Sequence, residues 1–185
     1  MVCAPQGRAE PVDGGTSDAD VNTRPRQYVN LRAGLASSSG LGNAVMCLEV
    51  SVPSFASVES CGTGRGLFGD SGGRDIVHLR MNVPVASRAT LGGWGSLRAG
   101  LGIAKLEAGI DRPGFPFGDP DPVTRGAVAG PDAALSIQWM RPAGRGFEWI
   151  ASGTAGLAWF AGADHLIVPQ DHFQPYLSIE VGAGW

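Results

Sequence analysis

Several groups of residues in this 185-residue chain have types and spacings that could do chemistry. Gly69-Asp70-Ser71-Gly72-Gly73 sets a serine in the context used by serine-protease nucleophiles. In that arrangement the histidine base precedes the serine along the chain. His78, His165 and His172 all follow Ser71, and Arg74 stands where the motif continues with proline. The segment therefore reads as a Gly-rich surface loop. Gly62-Thr63-Gly64-Arg65-Gly66 lacks the Lys-Ser/Thr of a phosphate-cradling loop and opens no helix. Asp164-His165 and Asp171-His172 could supply metal ligands, and Asp111, Asp119 and Asp121 could meet a divalent cation. Solvated loop positions account for all of these. His78 lacks the serine and aspartate that a lipid-modifying hydrolase would need beside it. No catalytic residue, cofactor or metal is assigned.

A second constellation depends on one turn. If a hairpin reverses at Ser54, Cys47 and Cys61 lie equally far from its centre, and so do Glu49 and Glu59. Directly opposed Cβ atoms come within disulfide range. A Cys47–Cys61 bridge is expected, with two buried free thiols as the alternative. Opposed Glu49 and Glu59 repel unless Arg32 or Arg80 stands between them. They could form a proton-sensitive gate; the expected role is a salt-bridged plug.

These residues must be held by strands. Period-2 alternation, the signature of a half-buried strand, recurs in eight segments: Gln27–Ala36, Asn43–Val52, Phe55–Gly62, Ile76–Val85, Gly93–Glu107, Asp132–Met140, Phe147–Ala161 and the terminal Tyr176–Trp185. In the last, Leu177, Ile179, Val181, Ala183 and Trp185 share one face; Tyr176, Ser178, Glu180, Gly182 and Gly184 share the other. Helical periodicity is absent, and 29 glycines argue against helices. Connections alternate. Ser37–Gly42 is of middle size, Thr63–Asp75, Ala108–Pro131 and Gly162–Phe173 are long, and tight turns are expected at Pro53-Ser54, Ala86–Thr90 and Arg141–Gly146. Residues 1–25 are polar, aperiodic and rich in Gly, Asp, Pro and Thr, and read as a disordered leader. Met1-Val2-Cys3-Ala4-Pro5 has neither the basic region nor the apolar stretch of a signal peptide. The expectation is a mature or truncated form with an added start methionine, in which Cys3 is incidental.

Composition narrows the class. The formal charge of −3 gives nucleic acid no attraction, and charged residues are 17% of the chain, below the usual ~25%. Mean hydropathy is +0.03, and no apolar run approaches the ~18 residues of a membrane-spanning helix. The polar faces carry Arg32, Glu49, Glu59, Arg80, Arg98, Glu148 and Glu180, which could neutralise one another inside a barrel. The oily faces carry no charge at the strand centres, and Lys105 is the only lysine. Trp139, Phe147, Trp149 and Trp185 fall at short-turn ends and Trp159 near a long loop, as two interfacial girdles require. The fold expected is all-β, an eight-stranded antiparallel up-and-down transmembrane barrel over residues 26–185 behind the leader.

In strand count, loop alternation, charged lumen and terminal strand, residues 26–185 resemble the small OmpA/OmpX-type bacterial outer-membrane barrels. The resemblance implies a non-enzymatic protein of the cell outer membrane in a Gram-negative bacterium, with a structural or interaction role. It implies contact with outer-membrane lipid and lipopolysaccharide, and recognition of the C-terminal strand by the barrel-assembly machinery. Another envelope protein is a further candidate partner, and a monomer is expected. Two other readings stay open: a narrow, porin-like pore, and a soluble lipocalin-like barrel with its oily face inward around a small apolar ligand.

Overall fold

The computed structural model describes residues 29–39, 44–52, 56–63, 73–109, 114–118 and 126–185. Its strands are β1 (Val29–Ala36), β2 (Ala44–Val52), β3 (Ala56–Gly62), β4 (Gly73–Thr90), β5 (Gly93–Gly109), β6 (Ala127–Gly144), β7 (Phe147–Trp159) and β8 (Phe173–Gly184). Each is antiparallel to the next, and β1 pairs with β8, so the eight strands close into an up-and-down barrel. The helical pieces among the described residues are 3-10 turns at Ser37–Ser39 and Ala163–His165. The leader assigned to residues 1–25 lies outside the described residues, as do Asp111, Asp119, Asp121 and most of the Gly69–Gly73 motif.

The alternation in the sequence becomes two unlike surfaces. In β2, Val45, Cys47 and Glu49 are buried while Met46, Leu48 and Val50 are exposed. In β8, Tyr176, Ser178 and Glu180 are buried while Leu177, Ile179 and Val181 are exposed. Polar side chains fill the lumen and aliphatic ones face outward. Arg32 is 2% exposed and Ile179 is 72% exposed, the reverse of an ordinary water-soluble interior.

Register fixes which residues meet. Stepping across the sheet from Asn30 gives Glu49, Glu59, Arg80, Gly102, Asp132, Ala158 and Gln174. On its other side Asn30 pairs with Gly184, ten residues beyond Gln174 in β8. A stagger of ten residues over eight strands tilts them by about 40°, taking ~3.3 Å per residue and ~4.8 Å between strands. The same path sets Asn30, Glu49, Glu59, Arg80 and Asp132 in a line along the inner wall.

Connections alternate in length as the sequence indicates. The short turns at 91–92 and 145–146 and the end of β2 that leads into β3 lie at one end, where Val29 and Trp185 also exchange backbone hydrogen bonds of 3.2 and 3.0 Å. The longer intervals between strands, β1 to β2, β3 to β4, β5 to β6 and β7 to β8, fall at the other end, and of these only 160–172 is described throughout. One expected turn is corrected. Ala86–Thr90 is strand, because a bulge between Pro84 and Ala86 absorbs the proline and pairing resumes as far as Thr90 opposite Gly93. The reversal falls at Leu91 and Gly92, with φ of 50° and 68°, as a primed two-residue hairpin turn requires. β6 also outruns the expected Asp132–Met140 at both ends, which shortens the loop placed at Ala108–Pro131. Pro131 is accommodated because β7 pairing begins only at Asp132.

Glycine sits opposite the long charged side chains. Gly102 faces Arg80, Gly182 faces Arg32 and Gly34 faces Glu180. A Cβ at these positions would strike the neighbouring backbone, at the carbonyls of Leu79, Leu31 and Ile179. Gly153 has nothing nearer than a carbonyl oxygen 4.0 Å away. Gly102→Ala is therefore expected to cost about 1–3 kcal/mol by overpacking, and Gly153→Ala to stay within about 0.5 kcal/mol of the parent. Urea unfolding followed by tryptophan fluorescence checks this; equal losses at both positions would contradict it.

Candidate functional site

The inner wall carries a continuous ionic network centred on Arg32. Its Nη2 bonds Glu59 of β3 and lies 3.2 Å from Glu49 of β2. Its Nη1 donates to Ser152 Oγ at 2.8 Å and lies 3.7 Å from Glu180 of β8. The like-charged pair Glu49 and Glu59 face each other across β2 and β3, and Arg32 joins them. Each glutamate has a second guanidinium. Arg80 donates to Glu59 through Nη2 at 2.6 Å and Nε at 3.2 Å. Arg98 bonds Glu49, the Ser57 hydroxyl and, at 3.1 Å, Gln138 Oε1.

Neutral donors take up the remaining acceptors. Asn30 and Gln138 amides donate to Glu49 at 3.0 and 3.3 Å, and Ser152 donates to Glu180. Arg80 also donates to the Tyr176 hydroxyl, which donates to Asp132 at 2.7 Å. Asp132 lies 3.5 Å from Arg80 Nη1 and 3.3 Å from His78 Nδ1, and the His78 and Tyr176 rings are 4.3 Å apart. All eight strands contribute a side chain to this cluster. Its chemistry is cross-bracing: the carboxylates are engaged by donors from other strands, in the low-dielectric setting where such bonds are strong and unpaired charges costly.

Beside the ions, Cys47 and Cys61 form a disulfide with a Cα–Cα distance of 4.1 Å, packed with Val45 on the inner face. The direct opposition of the two cysteines across β2 and β3 decides between bridge and free thiols.

Apolar layers flank the network. Toward the long connections, Ile76, Leu106, Val128, Ala158, Phe160 and Leu166 form a buried cluster, with Phe160 and Leu166 coming from the connection between β7 and β8. Toward the short turns, Trp94, Met140 and Ile150 are successive inner-face partners across β5, β6 and β7. The lumen is thus filled by ions in the middle and apolar side chains on both sides.

No family model, curated protein or solved structure matches this chain.

Of the polar residues singled out in the sequence, Arg32, Glu49, Glu59, Arg80, Arg98 and Glu180 meet in one cluster. Glu148 lies on the same face nearer the short turns, buried and outside the ion pairs just described. Asp132, His78, Tyr176, Gln138, Ser152, Ser57 and Asn30 are additional members. The alternation itself put Gln138, Ser152, Ser57 and Asn30 on the polar faces, whereas Asp132 looked like a loop boundary. Trp139, Phe147, Trp149 and Trp185 lie at the short-turn end and Trp159 at the other, where it pairs with Phe173. Asp164 contacts His172 at 3.1 Å and His165 at 3.6 Å, all substantially exposed, and no group of His, Cys, Asp and Glu among the described residues is arranged to hold a metal ion.

Arg32→Met should destabilise the fold by about 3–5 kcal/mol by leaving Glu49 and Glu59 without their shared cation, and Glu59→Gln in that background should restore part of the loss. Denaturant titration of the single and double variants reads both; a loss under 1 kcal/mol would remove Arg32 from the centre of the network. A second test counts thiols. Of the chain's three cysteines, only Cys3 should react with maleimide in the unfolded, unreduced chain, and all three after reduction. Replacing Cys47 and Cys61 together by Ser should cost about 3 kcal/mol, from a crosslink spanning a sequence separation of 14.

Proposed function

We propose that this chain is an integral outer-membrane β-barrel of a Gram-negative bacterium, closed to conduction, with a structural or interaction role carried by its longer connections. The observation that carries the reading is the inversion of the barrel: Arg32, Glu49, Arg80 and Glu180 are buried inside while Leu35, Leu101, Ile137, Leu177 and Ile179 are exposed outside. Water-soluble monomers rarely expose an apolar surface that continues from strand to strand around a barrel, whereas a lipid-facing wall requires one. No helix among the described residues is long and apolar enough to cross a membrane; on this reading the strands cross.

Dimensions agree with a bilayer. Trp149 and Trp159 stand on the outer face of β7 near its two ends. The ten residue steps from one to the other rise ~33 Å along the strand, or about 25 Å along the axis at ~40° tilt. That matches the ~25 Å apolar band of membrane barrels between aromatic girdles. The Cys47–Cys61 bridge suits an oxidising envelope compartment. The filled lumen favours a plugged barrel over a pore, and the buried charges disfavour a cup for an apolar ligand. OmpA/OmpX-type barrels remain the class proposed, with β8 and Trp185 offering the alternating pattern that the barrel-assembly machinery would read.

The purified chain should need detergent or lipid to stay monodisperse, and in planar bilayers it should carry no steady single-channel current. A monomer stable in plain buffer would overturn the membrane reading; a steady current would overturn the closed lumen.

A further inference from the structure

The short-turn end has an uneven distribution of charge. Arg88, Arg141 and Arg145 are exposed there, and none has an ion-pair partner among the described residues. The carboxylate side chain nearest them in the strands, Glu148, is turned inward and buried. At the opposite end Asp164 and Asp171 are exposed.

Arg88 and Arg141 are organised around an aromatic platform, and Arg145 lies beyond it in the β6–β7 turn. Across the outer face, Arg88 of β4 pairs with Gly95 of β5, and Gly95 pairs with Trp139 of β6. Arg141 lies two residues beyond Trp139 on the same face and pairs with Trp149 of β7. The Trp139 indole is fixed: its Nε1 donates to the Thr90 carbonyl at 3.3 Å, and its ring covers Gly93 so closely that a Cβ there would come within 2.9 Å of it. Trp149 is braced edge-on by Phe147, with ring centroids 5.5 Å apart and planes at 87°. Arg88 and the Trp139 strand are two strand spacings apart, about 10 Å, with glycine between. The exposed side chains of Val85, Leu97 and Ile137 continue from this row along the barrel wall.

An occupant must therefore present an anion to the guanidinium groups and lay an apolar body along the aliphatic wall. We propose that Arg88 and Arg141, with Trp139 as platform, bind the phosphate of an anionic glycerophospholipid at the short-turn rim. Guanidinium forks suit phosphate oxygens, and an indole suits the level where headgroup meets chain. The proposal rests on the membrane reading above, because it needs the outer wall to face acyl chains.

The test uses the full chain in nanodiscs of equal phosphatidylcholine and phosphatidylglycerol, with the lipids that stay bound on release counted by native mass spectrometry. Phosphatidylglycerol should be retained over phosphatidylcholine. Arg88 or Arg141 replaced singly by Gln should lower that retention about fivefold, and R88Q/R141Q about 25-fold, at the ~1 kcal/mol assigned to a basic residue beside an anionic surface. The single variants R88Q and R141Q carry the test if the double variant does not fold. Retention of both lipids alike, or phosphatidylglycerol retention unchanged in R88Q/R141Q or in both single variants, overturns the site. Displacement of the bound lipid by millimolar inorganic phosphate overturns the assignment to lipid, and indifference to phosphate supports it. A chain that never enters the discs overturns the membrane reading itself; one that enters without lipid preference overturns this site alone.

Discussion

Arg32 sits at almost zero exposure, and a guanidinium there is tolerable only if carboxylates reach it from several directions. They do: Glu49 and Glu59 come from the adjoining hairpin, and Glu180 comes from β8 on its other side. The ten-residue stagger decides whether those groups meet. A shift of one residue at any seam would turn a glutamate outward and an aliphatic side chain inward. It would break an ion pair and put a charge on the apolar wall in the same move. Register, interior charge balance and exterior composition are therefore one constraint expressed in three places.

Glycine is the second half of that constraint. Arg80 and Arg32 are long, and the inner wall has room for them because their cross-strand partners are Gly102 and Gly182. The high glycine content that argues against helices in the sequence has a specific use here, letting neighbouring backbones coil closely beneath extended charged side chains. The apolar layers finish the interior. Phe160 and Leu166 fill one side and Met140 and Ile150 the other, so the ions lie in a region shielded from water, where paired charges hold firmly and unpaired ones are costly.

Much of this was legible from alternation alone, because period 2 assigns each residue to a face without any knowledge of its partners. The Cys47–Cys61 and Glu49–Glu59 pairings followed from one hairpin centre. What escaped had physical reasons. The segment expected from Ile76 stops at Val85, just past a proline that removes a ladder hydrogen bond; the bulge that absorbs Pro84 leaves no mark in the residue types. Asp132, next to Pro131, looked like a loop boundary, yet it accepts from Tyr176 and lies beside His78. Leu166 belongs to a connection without periodicity and Phe160 to the last residues of the expected segment Phe147–Ala161, which is strand only as far as Trp159; the burial of both depends on how the connection folds over the barrel mouth.

The interior also ties closure of the barrel to its neutralisation. Three guanidinium groups, Arg32, Arg80 and Arg98, share the cluster with four carboxylates, Glu49, Glu59, Asp132 and Glu180, and the imidazole of His78 faces Asp132 on β6. Pairs between neighbouring strands, such as Glu59 with Arg80, are available to an open sheet, whereas Arg98 of β5 reaches Glu49 of β2 across the lumen and needs the sheet already curled. Glu180 and the Tyr176 bridge between Arg80 and Asp132 enter only with β8, whose backbone also seals the seam against β1. The strand with the plainest sequence pattern is thus the one that completes both the hydrogen-bond ring of the backbone and the ionic ring of the side chains. Its outward residues and its inward residues serve different solvents, and each set requires the other to keep its place.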